Sequence, residues 1–379
     1  MRIAHLSLTD LRSYPRLEVE FGTGPQILWG ENAAGKTNLI EALVTLALGR
    51  SHRAGSDLEL IAWGRPFTRI LGTVRGDGGA GAEIELVVAR EPFRGGRKRL
   101  RVNGVPRRAS RLAETFRIVL FAPEHMLLVT GAPALRRAEL DELGAQRSPG
   151  HARALATYGR ALQQRNGLVR AIREGTAERT ELAFWDRAIV EEGGAIVEAR
   201  LALLTDLAGG LAAAYAEIAP GEGRLALRYE TNAPPDAARG ESPRDALRRR
   251  LAETAEKEIW NGATLVGPHR DDIVFELDGR SLPEFASRGQ QRAAILALKL
   301  AELELLAAVN GSPPLLLLDD VFSELDPLRR AHLARRILAL PQAFLTTTTL
   351  AELDRELIGH ATRWRVTPGR VESDAGSPP

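Results

Sequence analysis

The sequence contains no cysteine. Disulfides and thiolate metal sites are therefore excluded, which suits a reducing cytoplasm. Lysine is scarce as well. Lys36, Lys98, Lys257 and Lys299 stand alone among 51 basic residues, and the rest are arginine. Aromatic residues make up only 5% of the 379-residue chain. No apolar run approaches the ~20 residues of a bilayer-spanning helix, so no membrane role is expected. The start, "MRIAHLSLTD", lacks the apolar core of a leader and reads as a strand. Net charge is also nearly absent, at +2. The arginine excess fits codon bias, since alanine and glycine are plentiful too. It equally suits phosphate contacts, because the guanidinium fork grips oxyanions in pairs. Composition does not separate the two.

What is there is an alternation of strand and helix patterns. "IAHLSL" and "LEVEF" alternate, and "QILWG" reads as a buried strand. "AEIELVVARE" and "KRLRVNGVP" suggest further strands, the last turning at Asn103–Gly104. After about residue 130 the texture becomes helical and alanine-rich, with basic and acidic residues nearly in balance. "RLALRYE", a polar loop and another helix follow. Then come "PPLLLLDD", a buried strand ending in two acids, and the late strands "AFLTTTT" and "TRWRVTPGRVE".

The strongest motif is "GENAAGKT", comprising Gly30, Glu31, Asn32, Ala33, Ala34, Gly35, Lys36 and Thr37. It lies between a predicted strand and a predicted helix. Backbone N–H groups in such a loop wrap phosphates, and the helix N-terminus behind them is positive. Lys36 would reach the β- and γ-phosphates of ATP, and the Thr37 hydroxyl would ligate Mg²⁺. A phosphate loop needs an acid at the end of a buried strand. Asp319 supplies a second Mg²⁺ ligand, and Asp320 is placed to orient the attacking water, which makes Lys36, Asp319 and Asp320 the catalytic candidates. Residues so distant must meet at one nucleotide. The expected fold is therefore α/β, assembled from both ends of the chain, with a mainly helical insertion.

"SRGQQR" before a long helix, then the acid-tipped strand, then "SELD", is the layout of an ABC-type ATPase. With "LTDLRSY", "FAPEHMLLVTGAPALRR" and "LVGPHRDD", the chain resembles the RecF family of bacterial recombination mediators over nearly its whole length. The resemblance implies an ABC-type ATPase head divided as residues 1–125 and 261–371. An inserted helical domain would span 126–260, and a disordered tail 372–379. It implies an ATP-dependent homodimer that hydrolyses ATP weakly under DNA stimulation. It further implies binding to single-stranded DNA and single/double-strand junctions in gap repair and replication restart under the SOS response, with RecR, RecO and RecA as partners. It places Arg12, Ser13 and Asn38 beside the nucleotide. Ser287, Gly289 and Gln290 would cap the γ-phosphate held by a second subunit, and Asp326 would lie at the dimer seam.

Two departures are visible. Asp320 stands where transporter ATPases carry glutamate, and Thr346 to Thr349 stand where they carry a strand-end histidine. Glu124, in "FAPEH", is a stand-in for the usual Q-loop glutamine. Pro268–Asp272, "PHRDD", reads as a metal site or a buried Arg270–Asp pair, and the resemblance makes it a family motif near the nucleotide or the interdomain contact. Residues 94–111 hold eight basic residues and no acid. They read as a solvated hairpin or as DNA phosphate contacts through Arg97, Lys98, Arg99, Arg101, Arg107 and Arg108. No aromatic run interleaves these arginines, so base stacking is not expected there. Two other function classes remain open: a transporter's nucleotide-binding subunit, and a non-catalytic ATP-gated clamp.

Overall fold

The computed structural model describes residues 1–76, 81–91 and 95–374. Strands β1 (Arg2–Leu11), β2 (Tyr14–Glu20) and β3 (Gly24–Trp29) come first, then helix α1 (Lys36–Leu48). Strands β4 (Phe67–Arg75), β5 (Gly81–Glu91), β6 (Gly95–Val102), β7 (Val105–Pro106) and β8 (Ile118–Phe121) follow. The turn between β6 and β7 places Asn103 at φ 50° and Gly104 at φ 75°, the left-handed pair that a tight hairpin requires.

The middle of the chain is mainly helical. Helices α2 (Leu127–Thr130), α3 (Pro133–Arg147), α4 (Pro149–Arg173) and α5 (Leu182–Ile218) lead to strand β9 (Leu225–Glu230) and helix α6 (Pro243–Asn261). Strands β10 (Asp272–Leu277) and β11 (Arg280–Ser281) and helix α7 (Leu282–Phe285) complete this part. By length and composition alone the stretch Arg179–Ile218 could cross a bilayer. Its Ile189, Ile196, Leu203, Leu207 and Leu211 are buried within the protein. The return comprises α8 (Arg288–Asn310), β12 (Leu315–Leu318), α9 (Pro327–Leu338), β13 (Gln342–Thr347), α10 (Arg355–His360), β14 (Thr362–Thr367) and β15 (Arg370–Ser373).

Two compact units result. The first contains residues up to Met126, the short stretch Glu217–Pro220, and the chain from Arg292 onward. The second contains Leu127–Ala216 and Gly221–Gln291. In the first, an antiparallel sheet has the order β2-β1-β4-β5-β6-β7, and a second sheet has the order β15-β14-β3-β13-β12-β8. In the latter, every pair but β14–β15 is parallel. Strand β12 is buried at all four residues, as a strand covered on both faces must be. The α1 residues Leu39, Ile40, Leu43, Val44 and Leu46 join one core with both sheets.

The second unit has its own core, in which Tyr158, Ile189, Ile196, Leu247 and Val266 pack together. Its sheet is β11-β10-β9. That sheet corrects the expected boundary at residue 260. Asp272–Leu277 pairs with Leu225–Glu230, so residues 261–291 complete the second unit. The expected tail also begins later than residue 372. Glu372 pairs with Arg365, and Trp29 Nε1 donates to Asp374 at 3.1 Å. The remainder of that tail, 375–379, lies outside the described residues.

Candidate nucleotide site

The loop from Gly30 to Thr37 leaves β3 at the sheet centre and enters α1. Two of its glycines are required by space. A Cβ on Gly30 would lie 2.2 Å from the Val366 carbonyl oxygen. One on Gly35, at φ 109°, would lie 2.8 Å from the Tyr14 hydroxyl and 2.9 Å from Ser13 Oγ. Glu31, Asn32 and Ala33 are exposed along the loop, while Ala34 is buried beneath it. No acid sits in the first turn of α1, so its free N–H groups keep their positive end for an anion.

Lys36 bends back over this loop. Its Nζ donates to the Gly30 carbonyl at 2.6 Å and the Glu31 carbonyl at 2.8 Å. Burial holds its pKa below the usual lysine value, against the opposing pull of Asp320 and Asp319. Thr37 Oγ1 donates to Asp319 Oδ1 at 3.1 Å across 282 residues of sequence. Thr346 Oγ1 donates to the same oxygen at 2.7 Å and accepts from the Asp320 amide at 2.8 Å. Thr346, on β13, thus ties the Asp319 carboxylate to the Asp320 backbone. Asp320 itself sits at φ 52°, a strained setting for a residue with a Cβ. A hydroxyl and a carboxylate side by side, both hard oxygen donors, fit Mg²⁺. The bare loop with its lysine fits a polyphosphate.

Beside the loop, Ser13 Oγ accepts from Asn38 Nδ2 at 2.9 Å, and the Tyr14 hydroxyl donates to the Gly35 carbonyl at 3.1 Å. Arg12 is near but committed. Its guanidinium grips Glu41 through two bonds of 3.0 and 2.8 Å. Glu41 is fully buried and also accepts from Ser51 Oγ at 2.5 Å. The Glu41 carboxyl lies below its usual pKa, because bonds from Arg12 and Ser51 outweigh the desolvation that pushes it up. Sequence reasoning missed Glu41, although an acid inside the apolar "LIEALVTLAL" was a visible signal. It missed His52 too. Both ring nitrogens of His52 are buried, and the ring feels the charges of Glu41, Glu124 and Asp319.

The loop at Ser287 belongs to the second unit. The Gln290 amide donates to Ser287 Oγ at 3.2 Å, and Gln290 Oε1 accepts from the Ser287 amide at 2.9 Å. This reciprocal cap satisfies two free donors at the start of α8. Ser287 remains exposed, Gly289 half-buried, and the serine O–H stays free to donate. Asp326 caps α9 through the Arg329 amide at 3.0 Å.

The basic hairpin divides by strand face. Lys98 is exposed, and its Nζ bonds the Gly49 carbonyl at 2.8 Å and Asp57 at 2.7 Å. Arg97 lies 3.8 Å from Glu91, and Arg101 lies 3.5 Å from Glu85. Arg99, Arg107 and Arg108 are exposed. Arg94 lies outside the described residues.

In "PHRDD" the expected Arg270–Asp pair is not formed. Arg270 is exposed and bonds the Thr264 carbonyl rather than an aspartate. Asp272 instead takes a fork of two 2.8 Å bonds from Arg136, and Asp271 accepts from the Tyr229 hydroxyl at 2.6 Å. His269 Nδ1 lies 2.6 Å from the Tyr158 hydroxyl, and its Nε2 lies 3.2 Å from the Thr264 carbonyl. These bonds fit a neutral ring protonated at Nε2. They make the stretch a buried polar network of the second unit.

A phosphate loop between sheet and helix, its acid supplied from the far end of the chain, and a helical insertion together define an ABC-type ATPase head. Residues 2–355 match the family model for the RecF/RecN/SMC N-terminal domain. The DNA replication and repair protein RecF of Chloroflexus aggregans is 40% identical over 98% of this chain and 99% of its own length. The Bacillus subtilis protein of that name is 36% identical over 98% and 100%. A solved structure of the recombination mediator protein RecF-ATPrS in the RecFOR pathway aligns with TM-score 0.88 at 28% identity, covering 99% and 98% of the two chains. An Smc head bound to a domain of ScpA aligns with TM-score 0.53 at 14% identity, a likeness of fold alone. The chain belongs to the RecF family.

Proposed function

We propose that the protein binds ATP and Mg²⁺, dimerises on ATP and binds DNA in recombinational gap repair and replication restart. The observation that carries this reading is the bond between Thr37 and Asp319. It joins the phosphate loop to the acid-tipped strand, in a chain that aligns along its whole length with DNA replication and repair proteins. Lys36 would hold the β- and γ-phosphates, and Thr37 and Asp319 would hold the metal. Mg²⁺ supplies charge neutralisation on the phosphate oxygens when bound. Asp320 would orient the water for a slow hydrolysis, and Ser13 and Asn38 would line the nucleotide. Ser287, Gly289 and Gln290 would face the ATP of a second copy. Single-stranded DNA and single/double-strand junctions are the proposed ligands. RecR is the direct partner, with RecO and RecA downstream, in the cytoplasm.

A second reading is an ATP-gated clamp whose turnover is incidental. The short, strained Asp320 favours it. Particle mass and DNA affinity, measured with and without ATP, test the main reading. A protein that stays monomeric in ATP, or binds no DNA, overturns it. Steady-state hydrolysis with and without DNA separates the two.

A further inference from the structure

The antiparallel sheet of the first unit turns one face to solvent, and strand register decides which side chains meet there. One cross-strand row runs Arg16, Thr9, Arg69, Val87, Arg99. It holds three arginines and no acid. The next row toward the sheet end contains Phe67, Ala89 and Arg97. The row on the other side contains Glu18, Ser7, Leu71, Glu85 and Arg101. The arginine row therefore lies between the row holding Glu18 and Glu85 on one side and, beyond the Phe67 row, Glu91, which lies 3.8 Å from Arg97. Arg16 and Arg99 are exposed and make no ion pair among the described residues, while Arg69 is shared with Glu85 at 2.7 Å.

The Phe67 side of the arginine row also carries aromatic rings. The turn after Ile61 is tied to this side by bonds from Ala62 to Asp10 and from Arg90 to Pro66. Trp63 in this turn is 100% exposed, and Phe67, the first residue of β4, is 38% exposed. A single exposed tryptophan means little. Two exposed rings four residues apart in sequence, one of them in the row next to an acid-free arginine row, are a different matter. At ~4.8 Å per strand the row spans about 19 Å from β2 to β6, room for several nucleotides.

We infer that Trp63 and Phe67, with Arg16, Arg69 and Arg99, form a binding strip for single-stranded nucleic acid. The guanidinium row takes the phosphates, and the rings take the bases. Every base has a π-face, so stacking tolerates any sequence, and the arginines add charge complementarity. The acids on either side confine the path to the arginine row. A duplex keeps its bases inside and cannot use the rings. The inference rests on the DNA-binding reading above and adds the surface and the strand state.

The test uses the full chain with ATP and Mg²⁺, a labelled oligo(dT) strand and a blunt duplex, read by fluorescence anisotropy. Trp63 makes no packing contact worth preserving, so Trp63→Ala leaves the fold intact. Trp63→Ala should weaken oligo(dT) binding about ten-fold, leave duplex and ATP affinities unchanged, and be largely rescued by Trp63→Phe. Arg16→Gln with Arg99→Gln should reduce the log–log salt slope on oligo(dT) by about 1.4. Unchanged oligo(dT) affinity in Trp63→Ala overturns the inference. So does an equal loss on the duplex, which marks a surface blind to bases. A loss of ATP affinity overturns it as well, because the ring then covers the nucleotide's own base. A wild-type protein that binds duplex but not oligo(dT) sinks this inference alone. One that binds neither sinks the DNA-binding reading itself.

Discussion

Asp319 Oδ1 receives two hydroxyls, from Thr37 at 3.1 Å and Thr346 at 2.7 Å. Those bonds fix its carboxylate before any nucleotide arrives. Asp320 is held differently: its amide donates to Thr346 Oγ1, its carbonyl accepts from Ser323 Oγ at 2.9 Å, and its φ is 52°. The two acids should therefore differ on mutation. Asp320→Asn should retain ATP binding and stop turnover, while Asp319→Asn should weaken Mg²⁺-dependent binding. Calorimetry beside a phosphate-release assay distinguishes them, and identical behaviour rejects the division of roles. Lys36 is the only lysine near the loop, and its charge is already partly desolvated. Lys36→Ala should abolish measurable ATP affinity in calorimetry, since the phosphates lose their counter-charge. These proposed roles come from "GENAAGKT" and "LLLLDD", because a phosphate-wrapping loop and a strand-end acid are local patterns. The work of Thr346 could not be read in the same way, since a run of four threonines says nothing of which hydroxyl turns toward Asp319.

At the scale of elements, two buried polar anchors hold helices to sheets. Glu41, midway along α1, ties Arg12 of the β1–β2 turn to Ser51 beyond the helix end. Glu41→Ala should cost about 3 kcal/mol in urea unfolding, because it leaves a guanidinium half-buried and unpaired. The folded-state pKa of Glu41 is depressed. Its stabilisation is thus present above the unfolded value of 4.5 and fades as pH falls below it. In the second unit, burial brings the His269 ring down to about 4 from 6.5. The unfolded chain then binds the extra proton between those values, so stability should fall as pH drops from 6.5 to 4, by at most about 3 kcal/mol. His269→Gln keeps an acceptor for Tyr158 and should flatten that slope in denaturation measured across the range. An undiminished slope would assign the pH dependence elsewhere. Most strands and helices were legible from period and turn residues. The membership of β10 was not, because pairing with β9 is a long-range choice that "DIVFEL" does not announce.

For the whole molecule, the proposed dimer makes the sharpest claim. Ser287→Arg should still bind ATP as a monomer, because Lys36 and Asp319 are untouched, yet fail to dimerise. Mixed with Lys36→Ala, it should recover part of the ATP-dependent dimer seen by light scattering, since one complete site forms from complementary halves. No recovery, with ATP binding lost in Ser287→Arg alone, would confine Ser287 to its cap on α8. The sequence by itself determined the phosphate-loop motif, the meeting of both chain ends at Thr37 and Asp319, and the family. Those depend on contiguous motifs and on one pair of groups that must share a phosphate. Tertiary structure alone decided that Arg12 serves Glu41, that Lys98 pairs with Asp57, and that "PHRDD" stitches the second unit. It also aligned Arg16, Arg69 and Arg99 in one cross-strand row next to the row of Phe67. The reason is physical: a strand alternates its faces every residue, and its register is fixed by pairing with distant partners. Which side chains share a surface is therefore written in the fold rather than in any one stretch of the chain.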